Sequence, residues 1–115
     1  MLKYSQFIIE VDEDKQDDYV YHGTNHENLR QIKKHGGLDP SPYNYVTHSE
    51  HAAHHYAVGP HDQKVVLRMK RKHVPGLEYA GHNNFGGENE KTSEYVHSKH
   101  IEYKHKNGWK KLNGD

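Results

Sequence analysis

The sequence predicts an α+β domain, on three observations. Two short helical segments near the front are followed mostly by strands, without the regular strand and helix alternation of a doubly wound parallel sheet. A chain of 115 residues suffices for one core and falls short of two, so residues 1–115 are expected to form a single domain. Nine Tyr and one Trp at a formal net charge of zero favour folding over disorder, although the chain is only 31% hydrophobic. With 20 Leu, Ile, Val and Phe in all, the core is expected to be thin.

The elements follow in order. KYSQFIIEV reads as a first strand, DEDKQDD as an acidic turn, and YVYH as a second strand ending at Gly23. Thr24 and Glu27 form a T-x-x-E capping box; Leu29 and Ile32 share a helical face; His35 sits in the last turn, and Gly36 and Gly37 stop the helix. After the loop LDPSPYN, YVTHS is extended, and Ser49 caps a helix over EHAAHHYAV. KVVLRMK is the best candidate for a buried strand. GHNNFGGENEKTS reads as a long loop, and EYVHSKHIEYKHK as a closing strand pair.

Composition excludes several chemistries. Without Cys there is no disulfide framework, thiolate metal site or Cys nucleophile. The longest early apolar run, Phe7 to Ile9, is too short for a signal-peptide core or a membrane span. A soluble monomer without membrane contact is therefore expected, intracellular or the catalytic part of a delivered, toxin-like protein. Charge is segregated: residues 1–20 are acidic, whereas the half from Lys64 onward is basic, including Arg68, Lys70, Arg71, Lys72, Lys104, Lys106, Lys110 and Lys111. That half reads either as solvated strand edges or as a surface for an anionic cofactor or nucleic acid.

Four groups of residues stand out. His51 and His55 are four apart on a helix and could face a divalent metal, but the order Glu50-His51 does not match H-E-x-x-H and no third ligand is marked, so no metal site is assigned. Tyr21-His22-Gly23-Thr24 ends a strand just before a helix, where Gly permits close approach of a planar ligand and His22 offers two ring nitrogens; a buried structural His is the alternative. Tyr45 and Tyr56 lie eleven residues apart, a geometry in which two rings flank a flat, cationic ligand; ordinary packing is the alternative. Glu94, in SEYV, opens a strand and offers a fixed negative charge.

In this order the pieces resemble the ADP-ribosyltransferase fold, in its His-Tyr-Glu branch that includes diphtheria toxin and the poly(ADP-ribose) polymerases. VYHGTNHENLRQIKKHGGL is similar to the first motif and its helix, Tyr45 to Tyr56 to the tyrosine pair, and SEYV to the strand of the catalytic Glu. The likeness runs from about Tyr19 to about Tyr103. It implies two small antiparallel sheets flanking an NAD cleft, with two short helices. It further implies cleavage of the nicotinamide–ribose bond and transfer of ADP-ribose to a protein or nucleic-acid acceptor, with possible NAD glycohydrolase activity as the variant. By the resemblance, His22 holds the adenosine ribose, Gly23 and Thr24 bind the cofactor with it, Tyr45 and Tyr56 hold the nicotinamide, and Glu94, with His22 and Tyr45, makes the catalytic set. Thr92, two residues before Glu94, departs from the Glu or Gln of the arginine-modifying branch.

Two alternatives remain at this stage. RNA 2′-phosphotransferases of the same fold also carry an H-G-T turn, and GGLDP and KVVLRM resemble their later segments, but only Arg30, Arg68 and Arg71 are present here to hold a phosphate. The other alternative is a non-catalytic binding module using the basic C-terminal half.

Overall fold

The computed structural model describes residues 18–85 and 87–113; the expected strand over KYSQFIIEV and its acidic turn, apart from Asp18, lie outside the described residues. The elements in chain order are β1 (Tyr19–Asn25), α1 (His26–His35), β2 (Gly37–Leu38), β3 (Asn44–Thr47), α2 (Glu50–Tyr56), β4 (Lys64–Lys70), β5 (Glu78–His82), β6 (Glu88–Thr92), β7 (Val96–His97), β8 (Ile101–His105) and β9 (Gly108–Lys111). The domain is α+β, with antiparallel strand pairs throughout the described residues.

One sheet has seven strands in the order β5-β6-β3-β1-β4-β8-β9, and β2 with β7 makes a two-stranded ladder. The long sheet is continuous in name more than in substance. β1 and β4 pair along their whole length, from Tyr19↔Lys70 to Asn25↔Lys64, whereas β1 meets β3 at the single pair Tyr21↔Thr47. Beyond that pair the strands splay, so a β1-β4-β8-β9 block and a β3-β6-β5 block are joined at one point. The expected pair of separate small sheets is thus replaced by two blocks of one sheet with an opening between them.

Strand alternation distributes the core. Val65, Leu67 and Met69 of β4 join Leu29 and Ile32 of α1 in the main apolar cluster, each side chain contributing roughly 1.5–3 kcal/mol by burial. Val66 points the opposite way with its partner Gly23, the side covered by α2 and its buried Ala52 and Ala53. One helix therefore covers each face of the β1–β4 pair.

Three local expectations are corrected. The cap of α1 is Asn25, not Thr24: the Asn25 Oδ1 accepts the Asn28 N–H at 2.8 Å, while Thr24 remains in β1 and is buried. Glu27 lies in the first turn, where its charge favours the helix N-terminus, and Gly36 closes the helix with φ +79°. Second, the long polar loop contains β6, held by four pairs with β3, from Asn44↔Thr92 to Thr47↔Asn89. Third, the closing strand pair is broken up: Val96–His97 pairs with β2, residues 98–100 form a 3-10 turn, and β8 pairs with β4 and β9. The Ser49 cap of α2 stands, its Oγ accepting the Ala52 N–H at 3.1 Å.

Candidate active site

The splay between β1 and β3 opens a cavity of about 360 Å³, lined by Tyr21, His22 and Gly23 of β1, Tyr43 to Thr47 apart from Asn44, Ala53 and Tyr56 of α2, and Asn89 of β6. His22 explains why pairing stops. In place of the next strand bonds, its Nδ1 lies 2.7 Å from the Tyr45 carbonyl, which can only accept, so Nδ1 carries the proton. Burial holds the His22 pKa below the ordinary 6.5, although that hydrogen bond works in the opposite direction. In the neutral ring Nε2 is consequently an acceptor, suited to a ligand hydroxyl.

Gly23 serves a different purpose from the one its sequence context implies. A Cβ there would come 1.9 Å from the Ala53 carbonyl oxygen and 3.0 Å from the Ala57 nitrogen. The missing side chain admits the backbone of α2, which in turn brings Tyr56 to the cavity. Tyr45 and Tyr56 are both about half exposed and line this one space. Tyr43 lines it too, with its ring 6.5 Å from that of Tyr45 in an edge-on arrangement. Lys91 covers Tyr43, its Nζ 4.3 Å from the ring centroid. Tyr43 is thus part of the cavity wall, though the sequence did not single it out.

A second cavity of about 240 Å³ shares His22 as a wall and adds Thr24, Asn28, Gln31, Asp39 and Asn44. Here the Asn44 Nδ2 is buried without a hydrogen-bond partner among the described residues. An aromatic compartment and a polar one thus meet at a neutral His. The orphaned amide is a donor that a ligand hydroxyl or ring nitrogen would satisfy.

Glu94 is not on the wall of either cavity. It is exposed, follows the end of β6, and its backbone N–H donates to the Thr92 Oγ1 at 3.1 Å. Its Oε2 lies over Gly76, 2.5 Å from where a Cβ would stand. Among the described residues its carboxylate makes no hydrogen bond or ion pair. The structure therefore brings His22, Gly23, Tyr45 and Tyr56 together, places Thr24 in the adjoining compartment, and leaves Glu94 apart. His51 and His55 pack edge-on against Phe85 at 5.0 and 4.8 Å, and no group of three metal-ligating side chains occurs among the described residues.

Sequence reasoning missed the framework around the cavity. Asn83 accepts the N–H groups of Phe85 and Gly87 through Oδ1 and donates through Nδ2 to Thr47 and to the cavity residue Asn89. An Asn before a Gly-rich turn was a readable sign of this role. On β6, Glu90 is gripped by both terminal nitrogens of Arg71 and by the His48 Nε2 at 2.7 Å. Burial alone would raise the Glu90 pKa, but the hydrogen bonds from Arg71 and His48 outweigh it and hold the carboxyl below the ordinary 4.5.

No protein-family model matches this chain, and no curated protein matches it. No helix among the described residues is long and apolar enough to cross a membrane.

Proposed function

We propose that the protein binds NAD and acts as an ADP-ribosyltransferase, cleaving the nicotinamide–ribose bond and passing ADP-ribose to a macromolecular acceptor. The observation that carries this reading is the convergence of His22, Gly23, Tyr45 and Tyr56, from three elements, on one aromatic cavity beside a polar one. Tyr45 and Tyr56 supply π faces for the cationic nicotinamide, and the His22 Nε2 accepts a ribose hydroxyl. Bond cleavage leaves positive charge on the ribose, which a carboxylate stabilises. Glu94 is the candidate because its carboxylate is unpaired, whereas Glu90 is held by Arg71 and His48.

The 2′-phosphotransferase reading loses ground on the same structure. Arg68 is paired with Glu102 and Arg71 with Glu90, which leaves few guanidinium groups for an RNA phosphate.

The test is nicotinamide release from NAD. Glu94→Gln should remove nearly all turnover while binding stays within a few-fold, because the amide keeps the shape without the charge. Tyr56→Ala should weaken binding by roughly 1–2 kcal/mol, and Tyr56→Phe should be tolerated. Absence of NAD binding by the unmodified protein would end this reading.

A further inference from the structure

On the face of the β1-β4-β8-β9 block that α2 partly covers, rings and cations alternate from the cavity residue Tyr21 outward, and Lys104 there is paired with Glu50 of α2. The Arg68 guanidinium lies 4.2 Å from the Tyr19 ring centroid and 4.4 Å from that of Trp109. Trp109 also meets Tyr21 at 6.1 Å and the Lys104 Nζ at 5.1 Å. At one end this strip runs into a pocket of about 410 Å³ between Tyr19, Lys70, His73, Lys99, His100 and Lys111. The carboxylate in that pocket, Glu102, is bonded to the Arg68 Nε at 2.8 Å. Lys70, Lys99 and Lys111 make no ion pair among the described residues.

His73 and His100 stack at 4.0 Å with planes 9° apart. Burial, and then the neighbouring His73, Lys99 and His97, hold the His100 pKa below 6.5, as expected where positive charge is already concentrated. The pocket is also connected. Tyr19 lines both it and a second pocket shared with Asp18, His48 and Arg71, while Tyr21 lines that second pocket and the aromatic cavity.

We propose that this face binds single-stranded nucleic acid, with Lys70, Lys99 and Lys111 seating phosphates in the basic pocket and the strip of Tyr19, Tyr21 and Trp109 meeting the bases. A positively charged groove beside aromatic rings is the arrangement that such strands require, since their bases are free to stack. A paired duplex hides its base faces, and an acidic peptide has no planar bases for the rings.

Trp109 is the single tryptophan of the chain, so its fluorescence reports on the strip directly. Oligothymidylate and oligouridylate of about fifteen nucleotides are titrated into the full chain without NAD, with tripolyphosphate and polyglutamate in parallel; this separates the outcome from that of the nicotinamide reading. Both oligonucleotides should quench Trp109, tripolyphosphate should compete without quenching, and polyglutamate should bind at least tenfold more weakly. The variant K70E/K99E/K111E should lose at least tenfold in affinity. Its plot of log affinity against log salt should be flatter by about 2, given a slope of about 0.7 per phosphate on single strands. Should that variant fail to fold, Lys99→Gln with Lys111→Gln, at two exposed sites, should still weaken binding several-fold. Oligonucleotide binding without quenching, equal binding of polyglutamate, or unchanged affinity in the folded variants would overturn the proposal.

Discussion

Gly23 carries two burdens that a sequence shows as one. Its place in Y-H-G-T reads as a strand end open to a ligand, but β1 runs on to Asn25, and the lack of a side chain is used by the backbone of α2, about thirty residues later, which the sequence does not show. Gly23→Ala puts a Cβ 1.9 Å from a carbonyl oxygen in a helix that cannot yield locally. We expect a loss of about 1–3 kcal/mol, as in overpacked cores, and a melting temperature lower by several degrees. NAD binding should weaken with it, since displacement of α2 moves Tyr56 away from Tyr45. A stable Gly23→Ala protein with unchanged binding would show that α2 does not set the cavity. Tyr45 and Tyr56, singled out in the sequence, line one cavity, and Tyr43, which was not singled out, lines it too: a residue two positions from Tyr45 shares its strand face only if the chain is already extended there.

Whole elements were legible where periodicity and caps agreed. KVVLRMK became β4 as expected, because its apolar side chains alternate between α1 and α2 and bury on both sides. α1 was legible but misplaced by its cap. Thr24 and Asn25 are both good capping residues, but β1 continues through Thr24, paired with Val65, to Asn25, paired with Lys64, so the helix starts at His26 and Asn25 caps it. Asn25→Ala should therefore cost about 1 kcal/mol and lower the melting temperature by roughly 4–8 °C, whereas Glu27→Gln should change it little. Calorimetry of the two variants checks the assignment, and the reverse order would restore the T-x-x-E box. β6 was illegible for a physical reason: ENEKT has little strand propensity, and its form is imposed by pairing with β3 and by the Arg71 and His48 grip on Glu90. The splay between β1 and β3, on which the cavity depends, arises from one histidine side chain bonding across strands 23 residues apart in sequence.

At the scale of the molecule, a thin core leaves stability sensitive to a few titratable groups, of which His22 is buried while His54 and His100 are only partly so. His22, His54 and His100 are all held below the ordinary 6.5, in each case by burial first, with cationic neighbours adding to it at His54 and His100. In the unfolded chain these rings take up protons near 6.5, and in the folded chain only at lower pH. Between the folded value and 6.5 the unfolded state binds more protons, so stability falls as pH is lowered through that window and is fully present above it. Glu90 acts in the same direction by the opposite route. Its depressed pKa contributes stability above 4.5 that is lost as pH falls through the folded value, when Arg71 and His48 lose their shared acceptor. Melting temperature should thus be level above about pH 7, decline in a first step below 6.5 and decline again below 4.5. His54→Asn and His100→Asn should each shrink the first step without touching the second, and Glu90→Gln should abolish the second while lowering stability at neutral pH. Thermal melts from pH 8 to pH 4 decide the matter: a melting temperature that rises between pH 7 and pH 5 would mean that the fold does not hold these rings neutral, and His22 could then no longer offer Nε2 as an acceptor at the cavity wall.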